Sequence, residues 1–350
     1  MFTPNATAPD PAALAALGDA LGERAEATAE VGPWKSGGFD LLARAGVLAG
    51  FVPLADGGTG ASEQAILDVL LAIASRCLTT VLALTQWASG CRIIAGGSDD
   101  VRAAWLPGLA AGTLTTTVGI AQLSTSRRHL GTPALVARMA DGGWRLSGLC
   151  PWVTGADSVD AIVTGAVRDD GQTLFFIVPT DRPGLEIAPP LSMLALSGSR
   201  TSSVAFADVA PAAVIEPRAT GGVRTGGLAT TALALGSARA ALGVLEGEAA
   251  ARAALMPVAA ALQAEADALE ARLRRSASDP EAEDRDRLRA DANGLVIRAA
   301  QAALTATKGA GFVAGHPAER LVREAHFFLV WSCPQTVAGI TLCELSRMEM

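Results

Sequence analysis

Residues 142–160 read GGWRLSGLCPWVTGADSVD, and the fold turns on this stretch. Trp144, Leu146 and Gly148 alternate with Arg145, Ser147 and Leu149. That is the period of a half-buried strand, entered through the Asp141-Gly142-Gly143 turn. Pro151-Trp152-Val153-Thr154-Gly155 follows. Side chains two residues apart on a strand share a face, so Trp152 and Thr154 point the same way. Gly155 then permits a bend or a close approach of the backbone. Two readings stand side by side. An indole beside a hydroxyl on a rigid strand suits a flat heterocycle with polar edges; the same pair also reads as a core Trp beside a surface Thr.

More short strand-like runs lie to either side of this stretch. They are Thr115–Ile120, Ala134–Met139, Ala161–Val167, Leu174–Val178, Leu185–Ala188 and Ser203–Phe206, separated by turns such as Asp169-Asp170-Gly171. About a hundred residues of this texture predict an antiparallel barrel or sandwich. The flanks read differently. Before it, Ala12–Glu30, Phe39–Ala45, an apolar helix opened by Ser62 as N-cap, and Asp99–Leu109 have helical spacing, interrupted by the breaker-rich loop Phe51–Gly60. After it, Leu228–Ala251 predicts a buried helix, Pro257–Arg275 and Asp284–Gly309 a charged helical hairpin, and a last helix starts near Pro317. Helices, then strands, then helices exclude a doubly wound sheet. The expected fold is α+β in three domains: an N-terminal helical domain (1–114), a middle β-barrel (115–218) and a C-terminal four-helix bundle (219–350).

The 350 residues suffice for such a division, and half of them are hydrophobic, much of that Ala. A net charge of −7, with Lys only at 35 and 308 and no basic block interleaved with aromatics, argues against nucleic acid. Cys77, Cys91, Cys150, Cys333 and Cys343 are odd in number and widely spaced, which supports neither zinc nor a disulfide framework. Free thiols point to a cytoplasmic protein. The N-terminus lacks a signal-peptide pattern, and the apolar run Ala65–Leu84 is broken by Asp68 and Arg76, so no membrane span is expected. Gly309-Ala310-Gly311-Phe312-Val313-Ala314-Gly315 follows a helix instead of a strand and fails as a dinucleotide fingerprint. It reads either as a helix terminus that a phosphate can approach or as a plain C-cap and loop. Among the histidines, His129 and His316 read as loop residues, and His326 lies close to Trp331-Ser332-Cys333.

Taken in order, these residues resemble the acyl-CoA dehydrogenase superfamily over almost the whole chain. Gly143-Trp144-Arg145-Leu146-Ser147-Gly148 with Trp152-Val153-Thr154 is similar to that family's G-x-x-L-x-G-x-K-x-W-I-T signature. Ser199-Arg200-Thr201 with Val204 to Val209 resembles its S-x-T…I-x-F-x-x-V segment, and Phe51-Val52-Pro53 with Gly57 to Gly60 resembles its P-x-x-x-G-G-x-G loop. Gly309 to Phe312 with Glu319 to Ala325 resembles G-x-G-(F/Y)…E-R-(L/I)-x-R-(D/E)-A. The resemblance implies FAD between barrel and C-terminal helices, and a homodimer or homotetramer. It places Trp152 and Thr154 against the flavin ring, and Gln122 and Ser124, in Gln122-Leu123-Ser124, on the segment that bonds its pyrimidine edge. Arg252 and Gln263 would reach a neighbouring subunit's FAD, and Gly309 and Gly311 would meet the dinucleotide. Arg suits a pyrophosphate because its fork is planar and fixed. Leu255 and Met256 stand where the family has an aromatic and a Gly.

Other departures bear on function. Aligned on Arg323-Glu324-Ala325, the Glu that removes the substrate's α-proton in the family falls at Ser332, and a Ser hydroxyl needs a base of its own. Arg224 to Leu228, where some members carry that Glu, has no carboxylate, and the loop Thr125 to Gly131 lacks the family's Glu-Pro…Gly-Ser-Asp. The expectation is an FAD-dependent oxidoreductase with a small-molecule or acyl-thioester substrate and an atypical reaction, His326 and Ser332 being its candidate catalytic residues. Two alternatives remain: a two-component monooxygenase that takes reduced flavin from a partner flavin reductase, and a flavin-free structural homologue.

Overall fold

The computed structural model describes residues 10–27, 38–124, 134–140, 142–216, 227–279 and 281–348, without the side chains of residues 24–27 and 124. Asp141, His129, the loop read at Thr125 to Gly131 and the segment Arg224 to Gly226 lie outside the described residues. The N-terminal helices are α1 (Pro11–Ala27), α2 (Gly38–Arg44), α3 (Val47–Gly50), α4 (Glu63–Ala74), α5 (Leu78–Ala95) and α6 (Asp99–Ala111). Ser62 caps α4 as its sequence suggests, its hydroxyl accepting from the Ala65 N–H. The apolar run beyond it is two helices. Cys77, in an extended conformation, takes the N-cap of α5 and accepts from the Thr80 N–H. Trp87 on α5 has no solvent exposure and is met edge-on by Phe39 and Phe51, with ring centroids 6.4 and 6.0 Å away.

Strand β1 (Thr116–Gly119) and the single turn α7 (Ala121–Ser124) lead into β2 (Leu135–Ala140), β3 (Gly143–Val153), β4 (Ala161–Val167), β5 (Thr173–Pro179), β6 (Leu185–Ile187), β7 (Ser202–Val209) and β8 (Ala213–Ile215). They form one sheet in the order β6-β7-β3-β2-β4-β5-β8, with β1 also on β4. The antiparallel sheet expected from sequence is in fact mixed, since β1 pairs parallel with β4, Thr116 opposite Ala161 through Gly119 opposite Thr164. A parallel pair needs a long connection, and the whole β2–β3 hairpin lies between these two strands.

Strand β3 is irregular where it matters. Its pairing with β7 shifts between Leu146 and Gly148 and again between Cys150 and Val153. Gly148 has φ +134°, and a Cβ there would lie 2.1 Å from the Ala134 carbonyl oxygen. Gly148→Ala should therefore cost about 2 kcal/mol through backbone strain and collision with β2. A denaturant midpoint equal to wild type would remove this account.

The C-terminal helices are α8 (Leu228–Ala251), α9 (Met256–Ser278), α10 (Arg285–Thr307), α11 (Pro317–Ala325) and α12 (Gln335–Ser346). By length and composition α8 could cross a membrane, but 72% of its apolar window is buried inside the fold. It crosses α4 at backbone contact: a Cβ on Gly236 would lie 2.5 Å from both the Ala74 Cβ and the Leu71 carbonyl oxygen. The α9–α10 hairpin carries its charge as pairs, among them Arg298 with Glu265 (2.6 and 2.8 Å) and Arg274 reaching Asp68 of α4 (2.6 Å). His316, expected in a loop, caps α11, its Nδ1 accepting from the Ala318 N–H at 3.1 Å.

Candidate functional site

The second shift in β3 leaves Cys150 and Val153 buried and turns Trp152 outward. Trp152 is 52% exposed, while Thr154, just past the strand end, is half-buried. Of the two sequence readings, the core Trp beside a surface Thr is overturned. The indole is presented to solvent from a strand whose opposite side, at Val153, is sealed.

Thr154 is fixed by its neighbours. Its carbonyl accepts from the Thr117 hydroxyl (2.7 Å), and its own hydroxyl lies 3.1 Å from that of Thr201, which is 2.8 Å from that of Ser199. This row of three hydroxyls ties the end of β3 to the turn before β7. Arg200 in that turn has φ +51°; it donates to both Asp157 carboxylate oxygens at 3.0 Å, and its carbonyl accepts from the Gly155 N–H. The turn packs on α5, and Arg323 of α11 donates to the Leu194 carbonyl at 3.0 Å. The strand end that carries Trp152 and Thr154 is thus held beside α5 and α11.

The other residues singled out in the sequence have varied surroundings. Gln122 is buried and its amide is spent on the sheet, donating to the Gly165 carbonyl (2.7 Å) and accepting from the Cys150 thiol (2.9 Å). Burial pushes that thiol up to about 12, so it stays a donor. Ser124 ends α7, its side chain outside the described atoms. Arg252 donates to Glu248 (2.6 Å) and to the Ala306 carbonyl, which brings it to the end of α10 that leads into Gly309 and Gly311. Gln263 instead turns to Asp267 (3.3 Å).

His326 is exposed on the short turn after α11, its Nδ1 2.7 Å from the Val322 carbonyl oxygen. Ser332 sits half-buried in the turn before α12 with φ +46°, a left-handed conformation uncommon for Ser.

Two buried charges are not among the site residues singled out in the sequence. Glu324 on α11 is 7% exposed, and burial raises its carboxyl to about 7 against the pull of Arg320 and Arg323. Its charge is felt by Cys77, which places it against the N-terminus of α5. Arg289 on α10 is also buried. The signal for each was its place on an apolar stripe: Leu321 with Glu324 and Ala325, and Arg289 with Asn293, Val296 and Ala300.

Residues 19–113 match the family described as "Acyl-CoA dehydrogenase, N-terminal domain". The chain is 29% identical over 159 residues to "Acyl-CoA dehydrogenase FadE12" of Mycobacterium tuberculosis, a match over 44% of this chain and 40% of that relative. Glutaryl-coenzyme A dehydrogenase, solved with glutaryl-CoA, superposes with a TM-score of 0.82 at 17% identity, covering 96% of this chain and 94% of the other. Residues 19–113 thus resemble an acyl-CoA dehydrogenase N-terminal domain, and the whole chain has the acyl-CoA dehydrogenase-like fold. The fold is also shared with dibenzothiophene monooxygenase TdsC from Paenibacillus sp. A11-2 (TM-score 0.78, 18% identity, 97% of each chain), which has been solved with FMN bound. At these identities the structural likenesses establish the fold alone. A glutaryl-coenzyme A dehydrogenase and a dibenzothiophene monooxygenase thus use one architecture.

Proposed function

We propose that the chain is a flavin-dependent oxidoreductase whose isoalloxazine packs on Trp152, with a reaction other than ordinary acyl-CoA dehydrogenation. The observation that carries this is Trp152, a large aromatic face held outward on a rigid strand beside a half-buried hydroxyl. The residues fit a flavin. The indole offers stacking area to a flat ring, and the half-buried Thr154, braced from behind by the buried Thr201 and Ser199, offers a hydroxyl at its edge. Arg252, reaching a neighbouring subunit's FAD, and the backbone at Gly309 and Gly311 would hold the phosphate end of the dinucleotide, which favours FAD over FMN, and Gln122 would brace the sheet beneath the ring. A bound flavin supplies hydride or single-electron transfer.

The chain's own groups determine what can accompany that transfer. At the turn Trp331-Ser332-Cys333-Pro334, Ser332 offers a hydroxyl and no carboxylate. His326 keeps Nε2 clear of the bond that Nδ1 makes with Val322, so it can hold or move a proton at that atom. This favours chemistry that needs a proton donor more than a strong base, and it keeps the two-component monooxygenase, fed by a partner reductase, as the second reading. Cytoplasmic localisation and a homodimer or homotetramer complete the proposal.

The test is a flavin titration followed by anaerobic mixing with short and medium acyl-CoAs. The protein should take up FAD and turn yellow, and the thioesters should bleach it slowly. Rapid bleaching would overturn the role given to Ser332. A protein that stays colourless with added FAD would favour the flavin-free homologue.

A further inference from the structure

Arg289 is 2% exposed, and its Nε, Nη1 and Nη2 all lack a hydrogen-bond partner. Its guanidinium carbon lies 5.7 Å from the Phe328 ring centroid and 5.9 Å from that of Trp331. Such ring contacts engage the face of the guanidinium and offset part of its desolvation. They leave its N–H donors, which lie in the plane, unsatisfied. Burial pulls Arg289 down to about 10, so it is charged at neutral pH.

No described residue supplies the counter-charge. Arg289 is paired with no carboxylate, and Cys333, whose charge it would feel, is kept protonated by burial, with Asp286 acting in the same direction. Other buried polar groups on α10 and α12 are also unspent. Asn293, one turn along α10, gives its Nδ2 to the Phe328 carbonyl at 3.0 Å, but its Oδ1 has no partner, and neither has the buried Thr341 hydroxyl on α12.

A second feature favours an anion. Helix α12 has twelve residues, and Pro334 provides no side-chain cap for its first-turn amides. Cys333, just before that cap, packs with Ala290, Val337 and Ile340, so the first turn of α12 lies against α10 beside Arg289.

We infer that Arg289 and the first turn of α12 form a receptor for a compact oxyanion, with the rings of Phe328 and Trp331 against the guanidinium. A carboxylate matches the planar fork in both shape and charge. The turn 331–334 that covers this receptor also carries Ser332, so the receptor suits the carboxylate of a substrate. Inorganic phosphate has the same chemistry and is the other source. The inference does not depend on flavin binding.

The test is thermal unfolding of the full chain in chloride buffer, titrated at constant ionic strength with acetate and, separately, with inorganic phosphate. Wild type should show a saturable rise in Tm with acetate and a change in Trp fluorescence, since a ligand bound only to the folded state stabilises it by mass action. A saturable rise with phosphate alone would support the receptor and assign it to a phosphate source. Arg289→Met should melt at or above wild type in chloride, because an unpaired buried charge has been removed, and should not respond to either anion. Should that variant not fold, Arg289→Lys keeps the charge without the fork and should respond to acetate ~10-fold more weakly. Absence of a saturable response in wild type overturns the proposal, as does an equal response in either variant. FAD titration separates this result from the flavin reading. Arg289→Met should bind FAD like wild type, and loss of FAD binding together with a lowered Tm would make Arg289 a folding element and overturn the receptor.

Discussion

Trp152→Ala should weaken flavin binding about 10- to 100-fold while leaving Tm nearly unchanged. The reasoning starts from burial. An indole that is 52% exposed contributes little to folding, because much of its surface stays in water in the folded chain as well. On binding, the same face would be covered by a flat ring, and the lost area and aromatic contact are worth roughly 1.5–3 kcal/mol. Fluorescence titration of FAD into both proteins, with a melt of each, checks the two halves together. Equal affinities would remove Trp152 from the site, and a large fall in Tm would show that its role is structural. Thr154→Val should have the smaller effect, because Thr201 keeps its bond to Ser199 when the Thr154 hydroxyl is gone.

The part of this site that is legible in sequence is the part set by local geometry. The alternation through Trp144 to Leu149 fixes a strand, and the two-residue spacing puts Trp152 and Thr154 on one face wherever the strand lies. Whether that face is core or surface is not local. It depends on the shift between Cys150 and Val153, which requires knowing that β7 is the partner. The same limit hid the break before α5, where Ser75-Arg76-Cys77 looks like any interval in an apolar run until Cys77 is seen extended and capping. It also hid β8, three residues that become a strand only by pairing with β5. The parallel β1–β4 pair joins residues about forty-five positions apart, beyond the reach of any local pattern.

Charge on a helix is ambiguous in a related way. Arg289 and Arg287 are two residues apart on α10, yet one is buried without a partner and the other bonds Asp291 at 2.7 Å. Only the stripe of Asn293, Val296 and Ala300 separates them in sequence. Glu319 and Glu324 differ similarly on α11: Glu319 is held below the usual carboxylate range by Arg323, and Glu324 is raised by burial. Arg289, without a partner, and the buried Glu324 lie on the helices next to the turn that carries Ser332.

Glu324 makes the stability of the chain depend on pH in a direction opposite to a salt-bridged carboxylate. Its carboxyl ionises near 4.5 when exposed and near 7 in the fold, chiefly through burial, with Arg320 and Arg323 opposing and Glu319 adding. Between those two pH values the folded chain holds a proton that the unfolded chain has released. Stability from this group is therefore fully present below 4.5, falls as pH rises through the window, and is lost above about 7. The difference amounts to roughly 3 kcal/mol at most. Glu324→Gln keeps the shape without the charge, so it should unfold like wild type near pH 5 and be more stable than wild type by up to that amount at pH 8. Denaturant melts of both proteins between pH 5 and 8 isolate the effect. Other groups titrate alike in the two chains, and Glu270 and Glu319, whose lowered values make them lose stability in acid, are already ionised there. Parallel curves across that range would show that Glu324 is charged in the fold and compensated by Arg320 or Arg323, and would remove the assignment of a buried, proton-holding acid at the N-terminus of α5.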